Sequence, residues 1–385
     1  MGWDGLGWDG MGWAGLGWDG RGWEGGGEEG RGWYGRESAG IEEEQRAKER
    51  VEQPSRAHSS TDGLTYPPPP PHVHRVSKDF RTCECPSVYP LPASTPGFEQ
   101  EYEAASSSLP THVHKTSCGG DWWQLGTYTA GAPKQLGSFK ATDSWTDVFA
   151  QKKIDQGGFY ASKDNSYPTK DGSTRRINWG WAQVPPASTQ TLPREVTFNA
   201  AARQLQQYPI EEVKSLRGTA AKSLKDVNVG ANATVALKVA SGVAKTSEIV
   251  AVFELPAEAA TFGVAVGADG AAPTCLVNWP GTSAAFAKGA AYVEVSVSCN
   301  GKGDTLRVLS TEKTVEVRIF SDMTMIEAFF QQGRVAYTGG LALNDSSDYA
   351  LHSTAALVAA SVDVYPMGSI WVSEDDVRNA PRVYQ

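Results

Sequence analysis

The sequence predicts an all-β protein that ends in an antiparallel β-sandwich and begins with a disordered tail. Three observations carry this reading. From about Lys78 short strand-like runs are separated by clusters of Gly, Pro, Asn and Asp, beyond Pro193 the runs lengthen and alternate, and residues 1–77 show no apolar periodicity.

The tail has three parts. Residues 1–25, MGWDGLGWDGMGWAGLGWDGRGWEG, repeat a GWxGx unit with a period of five, which fits neither the helical nor the strand period. Two glycines in every five residues make ordering entropically costly. The segment reads as flexible, its tryptophans being either an aromatic ligand for a partner or a translated repeat without a role. Residues 37–56, ESAGIEEEQRAKERVEQPSR, fit a short solvated helix ended by Pro54, and YPPPPPH at 66–72 fits a stiff polyproline II spacer.

Beyond the tail the pattern is β. DWWQLGTYTAG (121–131), GFYAS (158–162) and RRINWGWAQ (175–183) are short runs in which aromatics alternate with small residues. EVTFNA, EIVAVFEL, TFGVAVGA, YVEVSVS, TVEVRIF, IEAFF and SVDVYPM follow, longer and with period two. Such strands, with turn signals about every 8 to 12 residues, describe an antiparallel sandwich. The change in pattern places a boundary near residue 190.

A chain of 385 residues is long enough for two hydrophobic cores. No window approaches the roughly 18 uninterrupted apolar residues of a membrane span, so neither a transmembrane helix nor a membrane partner is expected. The net charge of −9 argues against a nucleic-acid partner, which calls for a basic face, and suits a neutral ligand such as a sugar. The five cysteines, Cys83, Cys85, Cys118, Cys275 and Cys299, are odd in number and lack the paired spacing of a structural zinc site. The sequence therefore predicts no metal and no disulfide framework, although one bridge between Cys275 and Cys299 is compatible with their place in the strand-rich half. The N-terminus lacks the basic start and apolar core of a signal peptide, so the compartment stays open, as does the oligomeric state.

The chemistry concentrates at TCECPSVYPLP, residues 82–92, where Glu84 stands between two cysteines. A metal site there needs further ligands, and the nearest are the pairs His72/His74 and His112/His114, at no regular zinc spacing. A redox site wants Cys-x-x-Cys ahead of a helix, whereas this is Cys-x-Cys ahead of a strand. A catalytic carboxyl and an acid placed at a strand end by chance both remain open on the residues alone.

Resemblance narrows the choice. CECPSVYPLP resembles the Glu-Cys-Pro motif of glycoside hydrolase family 32, the invertases, inulinases, levanases and fructosyltransferases. THVHKTSCGGDWWQLGTYTAG (111–131), DQGGFYASKD with RRINWGWAQ (155–183) and TLPREVTF (191–198) resemble further stretches of that family in the same order. VEVRIFSDMTMIEAFFQQGRVAYT (315–338) and VDVYPMGSIW (362–371) resemble a hairpin and the closing strand of its sandwich. The likeness runs from about residue 79 to the C-terminus.

The resemblance implies a five-bladed β-propeller followed by a β-sandwich. It implies retention of anomeric configuration by an aspartate nucleophile in an Asn-Asp-Pro motif and the glutamate of Glu-Cys-Pro as acid/base. Such a mechanism sets two carboxyls about 5 to 5.5 Å apart, and the acid needs burial or a neighbouring negative charge to stay protonated near neutrality. Glu84 is then the acid/base and Cys85 its small, weakly polar neighbour. Trp179 lines the fructose pocket or fills a propeller core, and Asp121 is a second candidate for substrate binding. Sucrose or a fructan is the implied substrate, with no metal or organic cofactor.

The chain also departs from the family pattern. It holds no Asn-Asp-Pro and no Arg-Asp-Pro, and the nearest string, LNDSSD at 343–348, falls inside the expected sandwich. No nucleophile is found, Cys83 stands where an aromatic is usual, and Ser87 stands where an Asp often follows Cys-Pro. At on the order of 45 residues per blade, residues 79–190 hold little more than two blades.

The expected organisation is thus a tail (1–78), the C-terminal blades of a partial propeller (79–190) and a sandwich (191–385). The expected protein is a truncated glycosidase acting on β-fructofuranosides. The alternative is a non-catalytic carbohydrate-binding or scaffold protein that uses the sandwich alone, and an incomplete copy of an active enzyme is a third reading. Four further positions are read as follows: Asp155 fixes a turn in preference to binding a sugar hydroxyl, Glu327 sits on the sandwich surface, and Asn232 and Asn344 head N-x-S/T sequons that matter in a secreted chain.

Overall fold

The computed structural model describes residues 84–91, 110–132, 137–141, 153–169, 172–267, 274–286, 289–370 and 372–380. The low-complexity repeat, the charged run and the polyproline spacer lie outside these residues.

The first sheet is a sequential antiparallel meander, β1 (Glu84–Pro90), β2 (His112–Ser117), β3 (Asp121–Thr129) and β4 (Ser138–Ala141). The second comprises β5 (Phe159–Pro168), β6 (Thr174–Ala182), the two-residue β7 (Thr189–Gln190), β8 (Arg194–Asn199) and β9 (Gln204–Pro209), in the order β5-β6-β8-β9 with β7 on β6. Meanders of this kind are the blades of a propeller. The two share one core, in which Tyr89, Val113, Trp123 and Leu125 of the first pack with Ile154, Phe159, Val196, Phe198 and Leu205. The second sheet runs across residue 190, because β8 hydrogen-bonds to β6 from Arg176↔Val196 to Asn178↔Arg194.

Twelve further strands complete the described fold: β10 (Lys222–Val229), β11 (Ala233–Ala236), β12 (Thr246–Glu254), β13 (Ala260–Gly267), β14 (Cys275–Trp279), β15 (Tyr292–Cys299), β16 (Lys302–Leu309), β17 (Thr314–Asp322), β18 (Met325–Phe330), β19 (Val335–Gly340), β20 (Asp348–Ser353) and β21 (Leu357–Pro366). They form two six-stranded antiparallel sheets, β10-β21-β12-β17-β18-β19 and β11-β20-β13-β14-β15-β16. The period-two alternation explains the layering, since Ile249, Ala251 and Phe253 of β12 all face inward and are fully buried. Phe253 meets Phe262 of the opposite sheet with ring centroids 5.1 Å apart. Cys275 and Cys299, directly opposite on β14 and β15, are disulfide-bonded. Cys118 is disulfide-bonded as well, so the chain carries more bridging than its cysteine spacing predicts. Spacing is a poor guide because strand register, not sequence distance, brings the sulfurs together.

β18 breaks the alternation in an informative way. All six of its residues are buried, because Ile326, Ala328 and Phe330 join the sandwich core while Phe329 packs on the other face with Val213, Phe320 and Ala336. That outer face is covered by Leu192, Tyr208 and Ile210, which flank or belong to the second blade. Glu327 on the same face is only 3% exposed, which corrects the expectation of a surface position. An antiparallel sheet has a polar outer face only where water covers it, and here a blade does.

The buried charge at this junction is neutralised in place. Arg194 of β8 donates to Asp155 Oδ2 at 2.8 Å and to Glu327 Oε2 at 2.6 Å, with its guanidinium over the rings of Phe159 and Phe329. Thr338 of β19 donates through N and Oγ1 to the two Asp155 oxygens, at 2.9 and 2.8 Å. Asp155 also accepts the Gly157 N–H at 2.8 Å, the turn read from the sequence. A Cβ on Gly157 would overlap the Thr338 carbonyl, which gives the Asp-x-Gly spacing its steric reason. Burial raises the Glu327 carboxyl above its usual range, opposed by Arg194. Burial alone would lower Arg194, but Glu327 and Asp155 more than offset it and raise it.

Candidate active site

Two facing β-bulges build the site. On β1 the pairing with β2 shifts between Glu84↔Ser117 and Ser87↔Lys115, and Cys85 at its centre adopts φ 47°. On β5 the pairing with β6 shifts between Tyr160↔Trp181 and Lys163↔Trp179, with Ala161 at φ 49°. A bulge re-aims the side chains beside it. Here the result is a hydrogen bond of 2.7 Å from Tyr160 Oη to Glu84 Oε2. Thr116 Oγ1 holds the Glu84 carbonyl at 3.2 Å. The tyrosine proton is retained above its usual range, first by the hydrogen bond to Glu84, with Asp121 and Cys85 also contributing.

A buried ion pair fixes the β5 bulge from below. Lys115 Nζ donates to the Ser162 carbonyl and, at 2.9 Å, to Ser162 Oγ. Asp121 Oδ2 accepts the Ser162 N–H at 2.8 Å and lies 3.8 Å from Lys115 Nζ. Ser162 is therefore held at both its backbone groups, two residues from Tyr160. Burial lowers the Lys115 ammonium from its ordinary range, opposed by Asp121, Asp164 and Cys85. The first blade is also tied to the second through Asp164, which accepts Ser87 Oγ at 3.0 Å and is paired with Arg176. Arg176 in turn stacks 4.0 Å from the Tyr89 ring centroid.

The residues singled out in the sequence fall at different depths. Glu84 is exposed and Cys85, a free cysteine, is half-buried beside it. The burial expected around the acid is thus not present at Glu84. Asp121 is fully buried with Oδ1 unpartnered and Oδ2 turned to Ser162 and Lys115. Trp179 is half-buried with its ring 5.8 Å from Tyr167, edge on. Another tryptophan, Trp181, is 46% exposed with its ring 6.5 Å from that of Tyr160. Tyr160 and Trp181 were not picked out from the sequence, although both lie in the stretch 155–183 that carries the resemblance. The signal available was register: a run that places Tyr160 opposite Trp181 sets two aromatic rings side by side.

Among the described residues no group of three or more His, Cys, Asp or Glu side chains is placed to hold a metal ion, and no helix is long and apolar enough to cross a membrane.

Comparison with known proteins divides the chain just after β9. Residues 49–209 match the family model for the glycosyl hydrolases family 32 N-terminal domain, and residues 212–361 match that for the glycosyl hydrolases family 32 C terminal. An insoluble β-fructofuranosidase isoenzyme of Arabidopsis thaliana is 34% identical over 154 residues, 37% of this chain and 26% of that protein. A fructan 6-exohydrolase of Triticum aestivum is 28% identical over 198 residues, 46% of this chain and 32% of its own. The chain thus spans about a quarter to a third of the curated relatives it matches. Fructan 1-exohydrolase IIa of Cichorium intybus in complex with 1-kestose superposes with a TM-score of 0.56 at 17% identity, over 74% of this chain and 61% of that one, a likeness of fold.

Proposed function

This chain belongs to glycoside hydrolase family 32, and on that premise we propose that it engages β-fructofuranosides, sucrose or a fructan, with Glu84 as the acid/base carboxyl of a retaining displacement. The observation that carries the reading is the 2.7 Å hydrogen bond that aims Tyr160 at Glu84 from a facing bulge. A carboxyl that protonates a glycosidic oxygen has to be held in one rotamer, and a phenol that donates to one oxygen leaves the other to meet the substrate. Cys85 occupies the wall beside it, and Trp179 and Trp181 offer aromatic faces for the apolar side of a sugar ring. Asp121, fully buried, acts in this reading by holding Ser162 and with it the β5 bulge that carries Tyr160.

The two-carboxyl mechanism also needs a nucleophile, and the sequence contains no Asn-Asp-Pro. In our reading the chain carries the acid/base half of the machinery and binds fructosides without turning them over. The exposure of Glu84 favours a second reading, a carbohydrate-binding protein in which this carboxyl has no catalytic part.

The test is reducing-sugar release from sucrose and inulin, with calorimetric binding of both and Glu84→Gln as the control. Binding without release, weakened in Trp181→Ala, is the expected result. Release abolished by Glu84→Gln would identify another carboxylate as nucleophile and overturn the half-machinery reading. Absence of binding would overturn the fructoside assignment.

A further inference from the structure

We propose that Asn232 and Asn344 are sites of N-linked glycosylation on the mature protein. Each heads an N-x-S/T sequon, Asn232-Ala233-Thr234 and Asn344-Asp345-Ser346. The fold places both on exposed turns of the sandwich. This inference is independent of the fructoside reading.

Asn232 lies in the turn between β10 and β11, which are the outermost strands of their respective sheets. Its φ is 54°, the left-handed conformation that asparagine tolerates. Its backbone N–H donates to the Thr354 carbonyl at 3.3 Å, which fixes the turn through the main chain and leaves the exposed side chain outside that contact. Among the described residues no strand is hydrogen-bonded beyond β10 or β11, so a bulky glycan at this corner displaces none of the described strands. It would shield two edge strands of the described sheets.

Asn344 lies in the turn between β19 and β20. Its Oδ1 accepts Ser346 N at 2.9 Å and Ser346 Oγ at 2.7 Å. The turn is closed by Asn344 N to Ser347 Oγ at 3.0 Å and Ser347 N to Asn344 O at 3.0 Å. These bonds use the amide oxygen and the backbone, whereas the glycan is carried by Nδ2. The oxygen remains an acceptor in a glycosylated amide, so the turn survives modification unchanged.

The redox setting follows from a separate observation. The Cys275–Cys299 bridge and the disulfide at Cys118 belong to a protein that matures in oxidising surroundings. Among oxidising settings, the eukaryotic secretory route is the one that supplies both the oxidant and the glycosyl donor this proposal calls for, an oligosaccharide linked through pyrophosphate to a polyisoprenoid lipid. In the transfer, Nδ2 forms a bond to the anomeric carbon, the bond from that carbon to the pyrophosphate oxygen breaks, the lipid pyrophosphate leaves with the electron pair, and the amide nitrogen gives up one proton.

The experiment uses the protein isolated from its source organism, deglycosylated with peptide N-glycosidase in heavy-oxygen water and mapped by mass spectrometry. Heavy-oxygen aspartate at positions 232 and 344 is the expected result. Unlabelled asparagine at either position overturns the assignment of that site, and at both overturns the proposal. A second arm expresses the full chain through a secretory host as Thr234→Ser and Thr234→Ala, which leave Asn232 in its turn. Loss of one glycan in Thr234→Ala but not in Thr234→Ser supports the site, and the same number of glycans on the two overturns it.

Discussion

Tyr160 donates its phenolic proton to Glu84 across the gap between β5 and β1, Oη to Oε2 at 2.7 Å, from two bulges that each hold a residue at positive φ. Neither bulge is a defect. Each shifts the register of its strand so that the side chain at its start turns to the other strand.

The Tyr160 proton reports on this contact. The hydrogen bond to Glu84 is the first cause of its raised ionisation, so Glu84→Gln is expected to move the phenol back toward its ordinary range. Ultraviolet difference titration, with Tyr160→Phe subtracted to isolate the one tyrosine, reads the shift directly. An unchanged Tyr160 titration in Glu84→Gln would show that the two side chains do not meet in solution.

Glu327→Ala is expected to destabilise the protein by about 3 to 5 kcal/mol in equilibrium urea unfolding. The substitution removes one of two carboxylates that neutralise the fully buried Arg194, and breaking a buried pair costs about that much because a charge is left uncompensated. A single-mutant effect below about 1 kcal/mol would mean that water reaches the junction.

Much of this fold is written in local pattern and some of it is not. The alternating runs from EVTFNA to SVDVYPM all became strands, because period two with one buried face admits little else. The turn role of Asp155 was legible in its Asp-x-Gly spacing. Glu327 was misplaced because a strand buried on both faces looks, from sequence, like one with a polar outer side. What covers that outer side is set by tertiary packing of β8 and β9, about 130 residues away in sequence. Tyr160 was hidden for a similar reason: its role depends on where a bulge falls, and a bulge leaves no fixed residue signature.

Replacing Cys275 and Cys299 together by alanine is expected to lower stability by about 3.5 kcal/mol. The bridge spans 24 residues, and closing a loop of that length in the unfolded chain removes about that much entropy at 25 °C. The two residues stay apolar and buried in the variant, so lost packing adds little. Unfolding midpoints of oxidised, reduced and double-alanine protein give the comparison, and a double-alanine variant as stable as the oxidised protein would place the stabilisation elsewhere.

The pH dependence of stability is expected to carry the mark of His114. This side chain is buried on β2, with its ring 5.4 Å from Phe139 and Lys115 next in sequence. Burial, with a smaller contribution from Lys115, lowers its pKa from 6.5 to about 4. Above pH 6.5 the imidazole is neutral in both folded and unfolded chains and adds no pH dependence. Between 6.5 and about 4 the unfolded chain takes up a proton that the folded chain refuses, so stability falls as the pH falls. Below about 4 both states are protonated and the contribution levels off. The full loss is about 3 kcal/mol, and at pH 5 it is about 2 kcal/mol relative to neutrality. Urea midpoints of the protein and of His114→Gln, measured from pH 7.5 down to pH 4, separate this term from the carboxylates common to both. The gap between the two is expected to narrow as the pH falls, and parallel curves across that range would show that His114 is protonated as readily in the folded protein as in the unfolded chain.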